Sequence, residues 1–292
     1  MGGIIWLASY PKSGNTWLRA YLHNLMRNAM EPIAPNRLNE LTLGDGMVRF
    51  FAAHTKGRAT IDMELAEIAA LRGAVQRDLA ASSRDSVLVK THNWLGLDHG
   101  HPCIDMNLTA GAIYVVRNPL DVVLSLADHF GIDIDQAIAQ MADPNARTLN
   151  LKHRVPDVMS SWSNHVRSWT ERPNPRLHVM RYEDMLAKPN AAFTALTRFL
   201  GLPASDERIA RAVRFSSFDT LQGLEARQGF VERSSHSRAF FRQGQAGQWR
   251  KVLTPDQVRL ICQQHRKPMR AFGYWPLAAA DRARFGIAKD EK

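Results

Sequence analysis

Short unbroken apolar runs alternate along this chain with longer stretches of helical periodicity. Ile4-Ile5-Trp6-Leu7-Ala8 is the first run; Val87-Leu88-Val89, Ala112-Ile113-Tyr114-Val115-Val116 and Leu177-His178-Val179-Met180 follow. Runs this continuous read as strands buried on both faces, because a half-exposed strand would alternate apolar and polar residues. Between them, apolar residues recur at helical spacing over about 16–28, 61–80, 119–130 and 157–170. Buried strands separated by helices predict an α/β fold, a central parallel sheet flanked by helices.

Helix boundaries are signalled locally. Asn118-Pro119-Leu120-Asp121 offers an N-cap, a proline at the first helical position and an acid in the first turn. Thr254-Pro255-Asp256-Gln257 and Ser216-Ser217-Phe218-Asp219 read as capping boxes. Gly201 after Phe199-Leu200 reads as a helix stop. No internal repeat or low-complexity segment interrupts the pattern, so 1–292 reads as a single domain. Insertions are expected at about 31–85 and 131–156. The polar, glycine-bearing stretch 223–247 is long enough to be a mobile lid.

Composition narrows the class. The 292 residues carry a formal charge of +10. The surplus suits either a nucleic-acid binder or an enzyme for a polyanionic small molecule. The basic residues are dispersed, with no block of five like charges, so most read as solvated surface. No run of about 18 apolar residues predicts a membrane span. The start of the chain lacks the basic and apolar regions of a signal peptide. Two distant cysteines, Cys103 and Cys262, form neither a metal motif nor a disulfide framework. Together these features predict a cytoplasmic protein.

The densest chemistry lies in Tyr10-Pro11-Lys12-Ser13-Gly14-Asn15-Thr16-Trp17, between the first strand and the first helix. A helix N-terminus offers free N–H groups and the positive end of a dipole to an anion. Gly14 allows close backbone approach, Lys12 adds charge, and Ser13 and Thr16 add hydroxyl donors. The loop is P-loop-like without being a Walker A loop, because its lysine precedes the only glycine. The third strand run ends in Val116-Arg117 with no Asp to hold magnesium. A P-loop nucleotide kinase and a non-catalytic anion or nucleic-acid binder are the competing readings.

The loop resembles the 5′-phosphosulfate loop of sulfotransferases that use 3′-phosphoadenosine-5′-phosphosulfate (PAPS). Further segments match that family in order: Lys90-Thr91-His92, then Tyr114 to Ser125 around Arg117, then Trp162-Ser163-Asn164-His165-Val166. Arg181-Tyr182-Glu183-Asp184-Met185 and Arg242-Gln243-Gly244-Gln245-Ala246-Gly247-Gln248-Trp249 complete the set. The resemblance spans about Ile4 to Tyr274. It implies a PAPS-dependent sulfotransferase with His92 as general base and Lys12, Lys90 and Ser125 as the other catalytic groups. For cofactor binding it implies Lys12, Ser13, Gly14, Asn15, Thr16, Trp17, Arg117, Ser125, Tyr182, Ser216, Phe218, Arg242, Gln243 and Gly244. Gln243 and Gln248 stand where the family usually has Lys and Asp. The co-substrate would be PAPS, with adenosine 3′,5′-bisphosphate (PAP) as product. Sulfuryl transfer carries less charge than phosphoryl transfer, so no metal is required. The acceptor would be a small molecule, lipid or glycan rather than nucleic acid, and the oligomeric state stays open. By analogy with the family, Phe50, Phe51, His54, Trp94 and Phe130 are candidates to line the acceptor pocket.

Overall fold

A computed structural model describes residues 2–275 and 278–287. Its central sheet has five parallel strands: β1 (Ile4–Ser9), β2 (Thr42–Gly44), β3 (Val87–Thr91), β4 (Thr109–Val116) and β5 (Leu177–Arg181). Their order across the sheet is β2-β3-β1-β4-β5. Register runs from Ile4 against Val87 to Ala8 against Thr91 on one side of β1, and from Ile5 against Gly111 to Ser9 against Val115 on the other. Four of these strands are the apolar runs. β2 was not expected, because Thr-Leu-Gly is too short to show a period; it is fixed by pairing with β3.

Each face of the sheet is covered, which is why the runs are continuous. Ile4, Trp6, Ala8, Val89, Ala112, Tyr114 and Val116 share one core cluster with helices α2 (Leu65–Ala81), α3 (Pro119–Phe130) and α4 (Trp162–Thr170). Leu7, Leu88, Ile113, Val115 and Met180 point the other way. They meet α1 (Asn15–Met26), α5 (Pro189–Phe199) and α6 (Asp206–Phe215). Burial is close to complete along β1; Trp6 also donates its indole N–H to Thr109 Oγ1 at 2.9 Å, satisfying its polar edge.

Several boundaries shift. The helix expected over 61–80 begins at Leu65, after a 3₁₀ turn at Thr60–Asp62, and the one expected over 157–170 begins at Trp162. The expected caps form at Asn118, whose side chain accepts from Leu120 N–H, and at Thr254. The 217 side chain, not 216, caps α7 (Phe218–Gln228). Gly201 follows the end of α5 with φ of 62°. The stretch 223–247 is therefore divided: its first residues complete α7, and 229–247 runs as irregular chain across the carboxyl ends of the strands.

That irregular segment is fastened at several points. The Glu225 carboxylate accepts from the N–H groups of Phe240 (2.7 Å) and Phe241 (2.9 Å). Buried Asp121 accepts from Gly247 N–H (2.6 Å) and Trp249 N–H (3.1 Å). Ser237 donates to Asp128 at 2.8 Å. Glu232 reaches inward to Arg19 and Lys90, described below.

Candidate active site

Every strand ends toward one crevice. β1 leads into the 10–14 loop, β3 into His92, β4 into Arg117, β5 into Tyr182, and β2 into Asp45. This is where open α/β sheets bind ligands, outside the carboxyl ends of strands whose order reverses about a central one. A cavity of about 910 Å³ occupies it.

The loop at the head of α1 is built to approach an anion. Gly14 is the N-cap with φ of 108°, where a Cβ would lie 2.8 Å from the Tyr182 ring. Only glycine fits both the conformation and the space. Lys12 also has positive φ (64°) and lies over the Phe240 ring, its ammonium 4.2 Å from the centroid. Burial lowers its pKa to about 8, with Asp128 opposing and Arg117 and Lys90 reinforcing the shift. Ser13 is buried and its hydroxyl has no partner. The Asn15 side-chain amide donates to Leu7 O on β1 at 2.8 Å. Its backbone N–H remains in the helix head.

His92 follows β3 with a defined tautomer. Its Nδ1 lies 2.8 Å from the Ser9 carbonyl, which can only accept, so Nδ1 carries the proton and Nε2 is a free acceptor. Burial lowers the imidazole's pKa to about 3, helped by the Lys90 charge. A second histidine holds the backbone in place. Tyr114 OH donates to His165 Nδ1 at 2.8 Å, and His165 Nε2 in turn donates to the His92 carbonyl at 3.2 Å. Trp169 donates to the next carbonyl, Asn93 O. Asn93 itself bonds Asp45 and receives Val158 N–H.

Lys90 is sequestered from solvent beside Glu232, Nζ to Oε2 3.2 Å, and Glu232 also accepts from wholly buried Arg19 at 2.7 Å. Burial pushes the Glu232 pKa up, but Lys90 and Arg19 together hold it well below the carboxylate range. Arg117 donates to Lys12 O at 2.9 Å and to Ser125 Oγ at 3.2 Å, and its guanidinium lies 4.4 Å over the Tyr182 ring. Its Nε is buried without a partner. Arg242 lies 3.5 Å from Asp128. Of the charges lining the cavity, Lys90 and Arg154 are matched by Glu232 and Asp157 and Arg242 by Asp128; Lys12 and Arg117 leave an excess of positive charge around the loop.

Of the expected site residues, Lys12, Gly14, Asn15, Thr16, Trp17, Lys90, His92, Arg117, Ser125, Tyr182, Phe218, Arg242, Gln243 and Gly244 line the one cavity. Ser13 and Ser216 do not: the Ser13 hydroxyl is buried in the loop without a partner, and the Ser216 hydroxyl is spent on the Ala212 and Val213 carbonyls of its own helix. Trp17, Tyr182 and Phe218 form an aromatic slot, with Trp17 edge-on to Tyr182 at 5.9 Å. Among the acceptor candidates only Phe130 faces the cavity. Phe51 is core, Trp94 packs against it, His54 pairs with Asp78 at 2.6 Å, and Phe50 lies under Arg49. The remaining wall comes instead from Met47, Thr148, Leu149, Leu151, His153, Arg154 and Asp157. His129 and Glu232 also face the cavity and were not anticipated; Glu232 carried no signal, lying in a polar stretch far from any motif.

The sulfotransferase-domain family matches residues 4–273, and the chain belongs to that family. Among curated relatives, cytosolic sulfotransferase 1 of Arabidopsis thaliana is 29% identical over 273 residues, covering 87% of this chain and 75% of that protein. Cytosolic sulfotransferase 16 of the same plant is 26% identical over 271 residues, covering 87% and 72%. Among solved structures, a mouse sulfotransferase complexed with PAP superimposes with a TM-score of 0.60 at 19% identity, covering 93% of this chain and 87% of that one. Retinol dehydratase in complex with androsterone and PAP gives 0.60 at 16% identity, covering 91% and 80%. Among the described residues no helix is long and apolar enough to cross a membrane.

Proposed function

We propose that this protein transfers the sulfuryl group of PAPS to a hydroxyl-bearing or amine-bearing small molecule with an apolar body. The observation that carries the reading is the tautomer of His92: a neutral imidazole with a free Nε2, in the same cavity as an amide-rich helix head and two lysines.

The residues present fit the nucleotide. The buried Ser13 hydroxyl and Arg117 Nε lack partners in a site with surplus positive charge, and anionic oxygens would satisfy both. The N–H groups at the head of α1, with Lys12, suit the 5′ end. Arg117 and Ser125, with Arg242, Gln243 and Gly244 from the overlying segment, suit the 3′-phosphate. The Trp17–Tyr182–Phe218 slot suits a planar base. Gln243 offers a neutral amide where a lysine would add charge, so the 3′-phosphate relies on Arg117 and Arg242.

In the reaction, His92 Nε2 takes the proton of the attacking group while Ser9 holds the ring through Nδ1–H. Lys12 and Lys90 stabilise charge that develops on the transferring group and the leaving oxygen, in a site where burial strengthens the effect. Ser125 shares its hydroxyl with Arg117 and helps hold the leaving side. The 229–247 segment serves as the lid. Met47, Phe130, Leu149 and Leu151 form the apolar wall for the acceptor. Apolar alcohols are the kind of molecule bound in retinol dehydratase.

Incubation with ³⁵S-labelled PAPS and a panel of phenols, alcohols and amines tests this. The reading predicts label transferred to an acceptor and PAP released in equal amount. Binding of PAP without transfer to any panel member would refute the catalytic assignment.

A further inference from the structure

His129 lies one helical turn beyond Ser125 on α3 and faces the cavity. Its ring meets Phe130 edge-on, centroids 5.1 Å apart. Its Nδ1 is sealed in the wall and has no hydrogen-bond partner. The charged groups that bear on it are Lys12, Lys90, Asp128 and Glu232; burial first, then the two lysines, lower its pKa to about 4, so it is neutral at physiological pH.

A neutral imidazole has one N–H and one lone pair. An orphaned buried N–H is rarer in proteins than an under-used acceptor. The sealed, partnerless Nδ1 therefore keeps the lone pair and the N–H falls on Nε2, the edge left to meet the cavity. His92 has the opposite arrangement, with Nδ1–H on Ser9 and an accepting Nε2. Of the four histidines lining the cavity, His92 thus presents an acceptor and His129 a donor.

Resting on the sulfotransferase reading, we propose that His129 is an acceptor-contacting residue that selects hydroxyl over amine nucleophiles. A hydroxyl has one proton and two lone pairs. It gives the proton to His92, accepts from His129 with one lone pair and attacks with the other. A neutral amine has a single lone pair. A hydrogen bond from His129 would occupy the pair needed for attack.

The test uses 2-naphthol and 2-naphthylamine as matched probes, with wild type, His129→Phe and His129→Gln. Wild type favours the naphthol. His129→Phe lowers kcat/KM for naphthol about 10- to 100-fold, the loss of one hydrogen bond to a reacting group, and leaves naphthylamine unchanged or faster. His129→Gln, which restores an N–H near the Nε2 position, recovers most of the preference. An equal fall for both probes, or an unchanged ratio, overturns the proposal. Nitrogen-15 NMR of the histidine rings gives a readout independent of turnover: an Nε2–H tautomer is expected at His129, and an Nδ1–H tautomer overturns the proposal. PAP affinity, followed by thermal shift, stays at the wild-type value in both variants. Failure of wild type to bind PAP would instead sink the sulfotransferase reading, leaving the tautomer result to stand by itself.

Discussion

Glu232 ties the overlying segment to Arg19 and Lys90 at the floor of the cavity, and its loss should loosen the segment there. Its partner Arg19 is 0% exposed, while Glu232 itself keeps 22%. Glu232→Gln preserves shape and an accepting oxygen but removes the charge that offsets Arg19 and Lys90. Truncating one member of a buried charged pair costs about 2–5 kcal/mol. The low end applies, because the segment can lift and let water reach Arg19, so about 2 kcal/mol is expected. That is about a 30-fold rise in the lifted population. Arg233, Arg238 and Arg242 place three tryptic sites on the segment. When opening is fast relative to cleavage, proteolysis follows the open population. Limited trypsin digestion should therefore cut Glu232→Gln about 30-fold faster than wild type at these sites. Global melting should move by only a few degrees, because the core is untouched. The pH sign is fixed by the direction of the Glu232 shift. A carboxylate with a depressed folded pKa contributes stability above its unfolded pKa, about 4.3, and loses it only as pH falls below that. The ratio of cutting rates should thus be constant from pH 6 to 8. Equal cleavage of variant and wild type would refute the latch.

Three further outcomes follow from the geometry. His92→Ala should lower kcat by about 10²–10⁴ while PAP affinity holds, read by single-turnover transfer and thermal shift. In wild type, burial and Lys90 keep His92 neutral well below pH 6.5, so the base is in its active form throughout. kcat/KM for the acceptor should then show no acidic limb between pH 5 and 8; a limb centred near 6.5 would contradict that environment. Gly14→Ala forces a Cβ to within 2.8 Å of the Tyr182 ring at φ of 108°. Strain of this kind costs about 1–3 kcal/mol, and calorimetric titration should show PAP affinity falling at least tenfold. His165→Phe removes the donor to the His92 carbonyl and strands the Tyr114 hydroxyl. It should destabilise by about 1–3 kcal/mol in urea unfolding and slow turnover, with KM for PAPS little changed.

Much of the site was legible because its parts are contiguous. The strand–loop–helix at 4–26, the Lys90–His92 end of β3 and the Arg117–Ser125 turn each hold position and chemistry in one contiguous stretch of chain. Parallel strands then bring their ends together without further information. What stayed hidden depends on distant pairings. Glu232 meets Lys90 across 142 positions, and Asp121 meets Gly247 across 126. No local period marks either. The cavity lining was only partly legible for a related reason: apolar character at Phe51 and Trp94 signals burial but not against what, and Phe51 joins the core with Trp94 packed against it, while Phe130 lines the cavity as expected. The cavity is lined instead by Met47 and by residues between 148 and 157, where short bridges such as Arg147 with Val158 fold an irregular chain back toward β3. At Asn15 the motif marked the position but not the bond its side-chain amide makes to Leu7 O on β1.

The central claim is that the head of α1 grips the 5′ end of a sulfated nucleotide opposite an accepting imidazole. A crystal structure with PAP bound tests it most directly. The 5′-phosphate should lie within hydrogen-bond reach of the 13–16 amides and Lys12, with His92 Nε2 facing the open side of the phosphate. A nucleotide seated away from that loop, or a His92 ring that has left the Ser9 carbonyl and turned from the phosphate, would contradict it.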